Sequence, residues 1–140
     1  MKLVIDASVA LKWILHPQQP EPDLVEALAI LKALGDGLHT AHQPVHWVAE
    51  VLAVVARKAP QRIDAGLSLI QQTPFTIIDG VAVMRRAATM ADALGHHLFD
   101  TLYHAVALET GAMLVTADEA YLRKAQALGQ IVHLSALSPP

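Results

Sequence analysis

The chain has 140 residues, enough for one domain with a single core and no need of a second. Apolar residues make up 54% and charged ones 16%, yet every apolar stretch is broken by charges, prolines or histidines well short of the ~20 residues a membrane-spanning helix needs. A net charge of -3 excludes a broad electrostatic pull toward nucleic acid or an anionic membrane, and the absence of cysteine excludes disulfides and thiolate metal sites.

Leu3, Val4 and Ile5 read as a buried strand that runs directly into Asp6, with Ser8 two positions later. Lys2 is followed by no apolar run of signal-peptide length, so no export signal is expected, and the lack of cysteine agrees with a cytoplasmic location. Residues 8–15 read as a short helix and 17–23 as a proline-punctuated loop. Asp23 is expected to cap a largely core helix over 24–34, closed by Gly35-Asp36-Gly37. A brief strand at 38–41 precedes a helix in which Pro44 takes the first position and which Ala59-Pro60 stops. Gln61 to Gln72 reads as another helix, and residues 75–79 as a strand ending in Asp79. Helices follow over 81–94 and 98–110, then a strand at 112–116, a helix from Asp118 to Leu128 and a last strand at 130–134. Short strands separated by helices of ten or more residues argue an α/β fold with a mostly parallel sheet, one domain over 1–134 with a tail at 135–140.

In such sheets ligands sit off the carboxyl ends of the strands, which selects among the acids. Asp6 ends the first strand, and Asp118 and Glu119 follow the strand at 112–116, with Thr116 supplying a hydroxyl as Ser8 does beside Asp6. Glu50 lies in a helix that is apolar on nearly every side, and Asp100 has apolar neighbours with His104 one turn away on its face. Taken singly, each acid fits a cap or a rim; taken together, four carboxylates would repel one another and raise one another's pKa unless a cation sat among them. Oxygen ligands without sulfur select magnesium or manganese, and such a site with open water positions is the apparatus of phosphodiester hydrolysis.

IDASVALKW, PVHWVAEVLAVV and LFDTLYHAVALETGAMLVTADEAYLRKA resemble the PIN-domain ribonucleases, and among them the small VapC-like toxins of VapBC-type toxin-antitoxin modules. The resemblance runs from Lys2 to about Leu134 and is weakest over 18–40 and 61–90. It carries the family's acidic quartet onto Asp6, Glu50, Asp100 and Asp118, as catalytic and metal-binding residues, with Ser8 and Thr116 as supporting hydroxyls. It implies a PIN-like α/β/α sandwich, dependence on Mg2+ or Mn2+, and endonuclease cleavage of single-stranded regions of RNA. It also implies a homodimer and a cognate antitoxin protein that blocks the groove. His96 to Phe99 stand before Asp100 where small or polar residues are more usual, and Glu119 adds an acid without an assigned place.

Other readings fit less of the sequence. His39, His42 and His46 have spacing reminiscent of zinc ligands, but Gln43-Pro44 interrupt any single helix carrying them. His104 is expected near the groove, in contact with phosphate or behind the ligands. A phosphoacceptor receiver domain would want paired acids at the first strand and a late lysine; a haloacid-dehalogenase-type phosphatase would want an acid where Ser8 stands. A catalytically inactive PIN-like module binding RNA or protein would be favoured by a broken quartet, and this one is complete. Trp13 and Trp47 are expected to pack in the core rather than stack on bases. Any polyanion must be held by metal or by local basic groups, such as Arg57, Lys58 and Arg62, Arg85 and Arg86, or Arg123 and Lys124.

Overall fold

The computed structural model describes residues 1–138; Pro139 and Pro140, the end of the expected tail, lie outside the described residues. Five strands, β1 (Lys2–Ile5), β2 (Thr40–Pro44), β3 (Phe75–Ile78), β4 (Met113–Thr116) and β5 (Ile131–His133), form one parallel sheet in the order β3-β2-β1-β4-β5. Seven helices intervene: α1 (Ala7–Leu15), α2 (Leu24–Gly35), α3 (Trp47–Lys58), α4 (Ile63–Gln72), α5 (Val81–Leu94), α6 (Leu98–Thr110) and α7 (Glu119–Ala125). Because parallel strands require right-handed crossovers, the direction in which the chain walks along the sheet decides which face each helix covers. From β1 to β3 it walks one way, and α1 to α4 pack on one another; after β3 it crosses to β4, and α5 pairs with α6, which lies on β1, β2 and β4. The result is the expected layered α/β sandwich.

Covered on both faces, β1 carries no alternation: Leu3, Val4 and Ile5 are all fully buried. Trp13 and Trp47 lie in the same core, and the Trp13 indole donates to the Ala27 carbonyl at 2.8 Å. The walk reverses between β1 and β4, so the crevice of a doubly wound sheet falls at their carboxyl ends. There β1 and β2 diverge. Backbone pairing between them is in register at Lys2 with Thr40 and Leu3 with Ala41, after which the buried Gln43 side chain takes over. Its Oε1 accepts from the Ile5 N–H at 2.9 Å and its Nε2 donates to the Ile5 carbonyl at 2.9 Å, closing the seam one residue before Asp6.

Several local expectations change. Pro44 does not open α3; it ends β2, in register with Ile78, and α3 starts at Trp47. At that point β1 is no longer alongside on the other flank, so the missing N–H costs no ladder bond. Asp23 stands at the start of α2 in a left-handed conformation, φ 53°, and makes no side-chain cap. The helices expected from Gln61 and to Leu128 are each part α-helix and part 3-10 turn, over Pro60–Arg62 and Gln126–Leu128. Past β5, Leu134–Ala136 form a further 3-10 turn, with Leu134 buried and Leu137 packed on the core.

Candidate active site

Two hydroxyls tie the ends of β1 and β4 together. The Asp6 N–H donates to the Val115 carbonyl at 3.0 Å, prolonging the ladder by one residue, and its carboxylate Oδ2 accepts from Ser8 Oγ at 2.5 Å and Thr116 Oγ1 at 2.8 Å. The same hydroxyls accept backbone N–H groups of the turn after β4, Ala117 onto Ser8 Oγ across the seam and Asp118 onto Thr116 Oγ1 within the turn, both at 3.0 Å. Asp118 then caps α7, its Oδ1 accepting the Tyr121 N–H at 3.0 Å. Asp6 stands at the corresponding position of α1 without capping it, which leaves its carboxylate for the crevice.

The other two acids come from the first turns of helices aimed at this edge. Glu50, on α3, accepts from the Tyr103 hydroxyl at 2.5 Å and has His46 Nε2 at 3.3 Å from the same oxygen. Asp100, on α6, has His96 Nε2 at 2.7 Å from its Oδ2. Among the described residues, His96, Asp100 and Asp118 each offer one ligand atom such that all three atoms lie within 4.8 Å of one another.

Electrostatics link these groups into one site. Asp6 keeps an edge open to solvent, but its dense surroundings desolvate it and raise its pKa to about 6. The Ser8 and Thr116 hydrogen bonds oppose that rise, while the charges of Glu50 and Asp100 add to it. Burial also works against ionised Glu50, but hydrogen bonds from His46 and Tyr103 and the His46 charge outweigh it and lower its pKa. Tyr103 and Tyr121 are raised far above the ordinary phenol range, first by burial, then by Glu50, Asp6 and Asp100 acting on Tyr103 and by Asp100, Asp6 and Asp118 acting on Tyr121. Both phenols therefore stay protonated donors among four acids.

His104, expected near the groove, touches none of the four carboxylates. It is fully buried, with Nδ1 at 3.1 Å from the Tyr121 hydroxyl and Nε2 at 2.7 Å from the Gly129 carbonyl, and burial lowers its pKa despite that backbone bond. Glu119 is exposed at the start of α7. His39, His42 and His46 form no ligand grouping; His39 lies beside the N-terminus, His42 is in β2 and His46 is beside Glu50. The sequence reading assigned no role at the site to His96, Tyr103, Tyr121 or Gln43, and weighed His46 only as a zinc ligand. One signal was available: His46 and Glu50, and His96 and Asp100, stand four residues apart at the start of α3 and α6, and in each pair the imidazole lies on its carboxylate.

A hard divalent cation fits these residues. Carboxylate oxygens dominate the donor set, sulfur is absent from it, and Asp6 is held against ionisation first by burial and then by the charges of Glu50 and Asp100, which a cation would offset. The grouping of His96, Asp100 and Asp118 lies among these acids.

The PIN domain family model matches residues 3–127. No curated protein matches the sequence. Among solved structures, VapBC2 from Rickettsia felis bound to a DNA fragment from its promoter is similar with a TM-score of 0.67 and 16% identity, over 95% of this chain and 97% of that one. FitAcB from Neisseria gonorrhoeae gives 0.64 and 18%, over 96% and 99%. VapBC-1 from nontypeable Haemophilus influenzae gives 0.62 and 15%, again over 96% and 99%. At such identities the likeness speaks for the fold, and the family match over most of the sequence, laid on a strand edge that gathers the acids its motifs contribute, makes this chain a member of the PIN domain family.

Proposed function

We propose that the chain is a metal-dependent endoribonuclease that hydrolyses phosphodiester bonds in single-stranded regions of RNA and acts as the toxin of a toxin-antitoxin module. The observation that carries this reading is the convergence of Asp6, Glu50, Asp100 and Asp118 on the crevice at the β1/β4 edge. A bound Mg2+ or Mn2+ supplies polarisation of the phosphate, neutralisation of its developing charge and a more acidic water. Asp6, Asp100 and Asp118 bind and orient at this centre, and the hydroxyls of Ser8 and Thr116 fix the Asp6 carboxylate. Glu50, kept ionised by Tyr103 and His46, orients the attacking water and draws on its proton. Water adds in line at phosphorus, the bond to the 3' oxygen breaks and that oxygen takes up a proton, leaving a 5'-phosphate and a 3'-hydroxyl.

The toxin role rests on the resemblance and on the likeness to VapBC and FitAB chains. With it come a cognate antitoxin protein seated over the groove, a homodimer of this chain and a cytoplasmic setting. No helix of the described residues is long and apolar enough to cross a membrane.

The test is cleavage of a pool of single-stranded and structured RNA with Mg2+, Mn2+ or EDTA, beside Asp6→Asn and Asp100→Asn proteins of unchanged circular dichroism. Cleavage that requires metal and fails in both variants is expected. Metal-dependent activity retained in either variant overturns the site assignment; RNA binding by the wild-type protein without cleavage favours the inactive binding module.

A further inference from the structure

Four carboxylates satisfy magnesium and manganese about equally, but an imidazole nitrogen does not, because magnesium prefers oxygen and nitrogen donors favour the later divalent metals. His96 is such a nitrogen at this site, and nothing in the quartet requires it. We propose that His96 is a direct ligand of the divalent ion, through Nε2, and that this nitrogen gives the site a preference for manganese over magnesium. The inference rests on the metal-dependent reading above.

The spacing of the three ligand atoms suits a shared ion. Ligand atoms around an octahedral ion with bonds of about 2.1 Å stand about 3 Å apart when adjacent and about 4.2 Å when opposite. His96 Nε2 lies 2.7 Å from Asp100 Oδ2, and with Asp118 the three atoms all lie within 4.8 Å. Gly95, at φ 59°, ends α5 in the left-handed turn that sends the chain to His96. The His96 ring is then held by Tyr121, with centroids 5.0 Å apart, and the Tyr121 hydroxyl is in turn bonded to buried His104. Only 13% of the His96 side chain is exposed, so the ring arrives already oriented. His46, the other imidazole beside an acid, has its Nε2 at 2.8 Å from the Phe99 carbonyl and is not grouped with two acids, which singles out His96.

One contact has to change. Lys124 Nζ, which can only donate, lies 3.3 Å from His96 Nδ1, so in the ion-free protein Nδ1 accepts and Nε2 carries the proton toward Asp100. Ligation moves the ring proton to Nδ1. Lys124 is exposed and also lies 3.3 Å from the Gly95 carbonyl, so it has another partner to turn to.

The experiment is electron spin-echo envelope modulation of the full chain loaded with Mn2+, with calorimetric titration of Mn2+ and Mg2+. Expected is modulation from a directly coordinated 14N, replaced by a 15N pattern when the histidines are 15N-labelled, lost in His96→Ala and kept in His46→Ala. His96→Ala should also weaken Mn2+ binding by about tenfold and Mg2+ binding much less. Modulation absent from Mn2+-loaded wild-type protein, or equal weakening of both metals in His96→Ala, overturns the proposal and leaves His96 as a hydrogen-bond partner of Asp100. If His96→Ala folds poorly, His96→Gln takes its place, and absence of histidine nitrogen modulation from the labelled wild-type protein overturns the proposal without any variant. Failure of Mn2+ to bind the wild-type chain at all would overturn the metal-dependent reading too, and so is distinguishable from failure of the ligand assignment alone.

Discussion

Asp6 is set against the rest of its site. Its pKa of about 6 in the folded chain, against 3.8 for an ordinary aspartate, means that the folded state holds this proton where the unfolded state has lost it. Folding stability in metal-free buffer therefore falls as pH rises through about 4 to 6, by at most about 3 kcal/mol, and no further above that window. Asp6→Asn keeps an acceptor for Ser8 and Thr116 and removes the charge, so it should flatten this pH dependence and raise neutral-pH stability by about 2 to 3 kcal/mol. Chemical denaturation with EDTA present, at pH 4.5 and pH 7.5, measures both. Thr116 has the opposite character: its buried hydroxyl donates to Asp6 and accepts the Asp118 N–H. The near-isosteric Thr116→Val leaves both without it and is expected to cost about 1 to 3 kcal/mol in the same assay, with loss of cleavage. Both hydroxyls were legible from the sequence because each lies two residues from its acid. Tyr103 and Tyr121 were not, since a tyrosine with apolar sequence neighbours reads as packing until the fold shows what its hydroxyl meets.

At the scale of elements, the site depends on how β1 is finished. Gln43 replaces the β2 backbone beside Ile5, two hydrogen bonds from one side chain, at a position of zero exposure. Gln43→Leu fits the space but strands the Ile5 N–H and carbonyl, so a loss of about 2 to 4 kcal/mol is expected on urea unfolding, together with weakened Mn2+ binding because Asp6 follows directly. An unfolding midpoint within error of wild type would show that another group or water reaches Ile5. The sequence revealed the strands and helices through their apolar runs and breakers, and placed Asp6 and Asp118 at strand ends for that reason. It misplaced the end of β2, because proline before a helical pattern reads as a helix start, while pairing with β3 up to Ile78 holds the residue in the sheet. That error hid Gln43 as well: placed between strand and helix, it had no reason to be buried against Ile5.

For the whole molecule, the crevice is a concentration of negative charge in a chain whose net charge is already -3, and an RNA phosphate entering it would meet repulsion unless a cation is present. Stability and function therefore pull the same residue in opposite directions, and one variant can display both. Without metal, Asp6→Asn is the more stable protein, for the reasons given above. With divalent ion at one hundred times its dissociation constant, binding stabilises the wild-type fold by about 2.7 kcal/mol, a rise of about 8 °C in melting temperature for a chain of this length. The variant lacks a charged ligand and gains little. Melting curves of the two proteins taken across a Mn2+ titration should accordingly converge, the variant ahead in EDTA and the wild type drawing level or passing it near saturation. Parallel curves, with the same gap at every metal concentration, would mean that Asp6 is not a ligand. Convergence would show that the cost of ionising Asp6, set by burial and by the charges of Glu50 and Asp100, is offset when the cation binds.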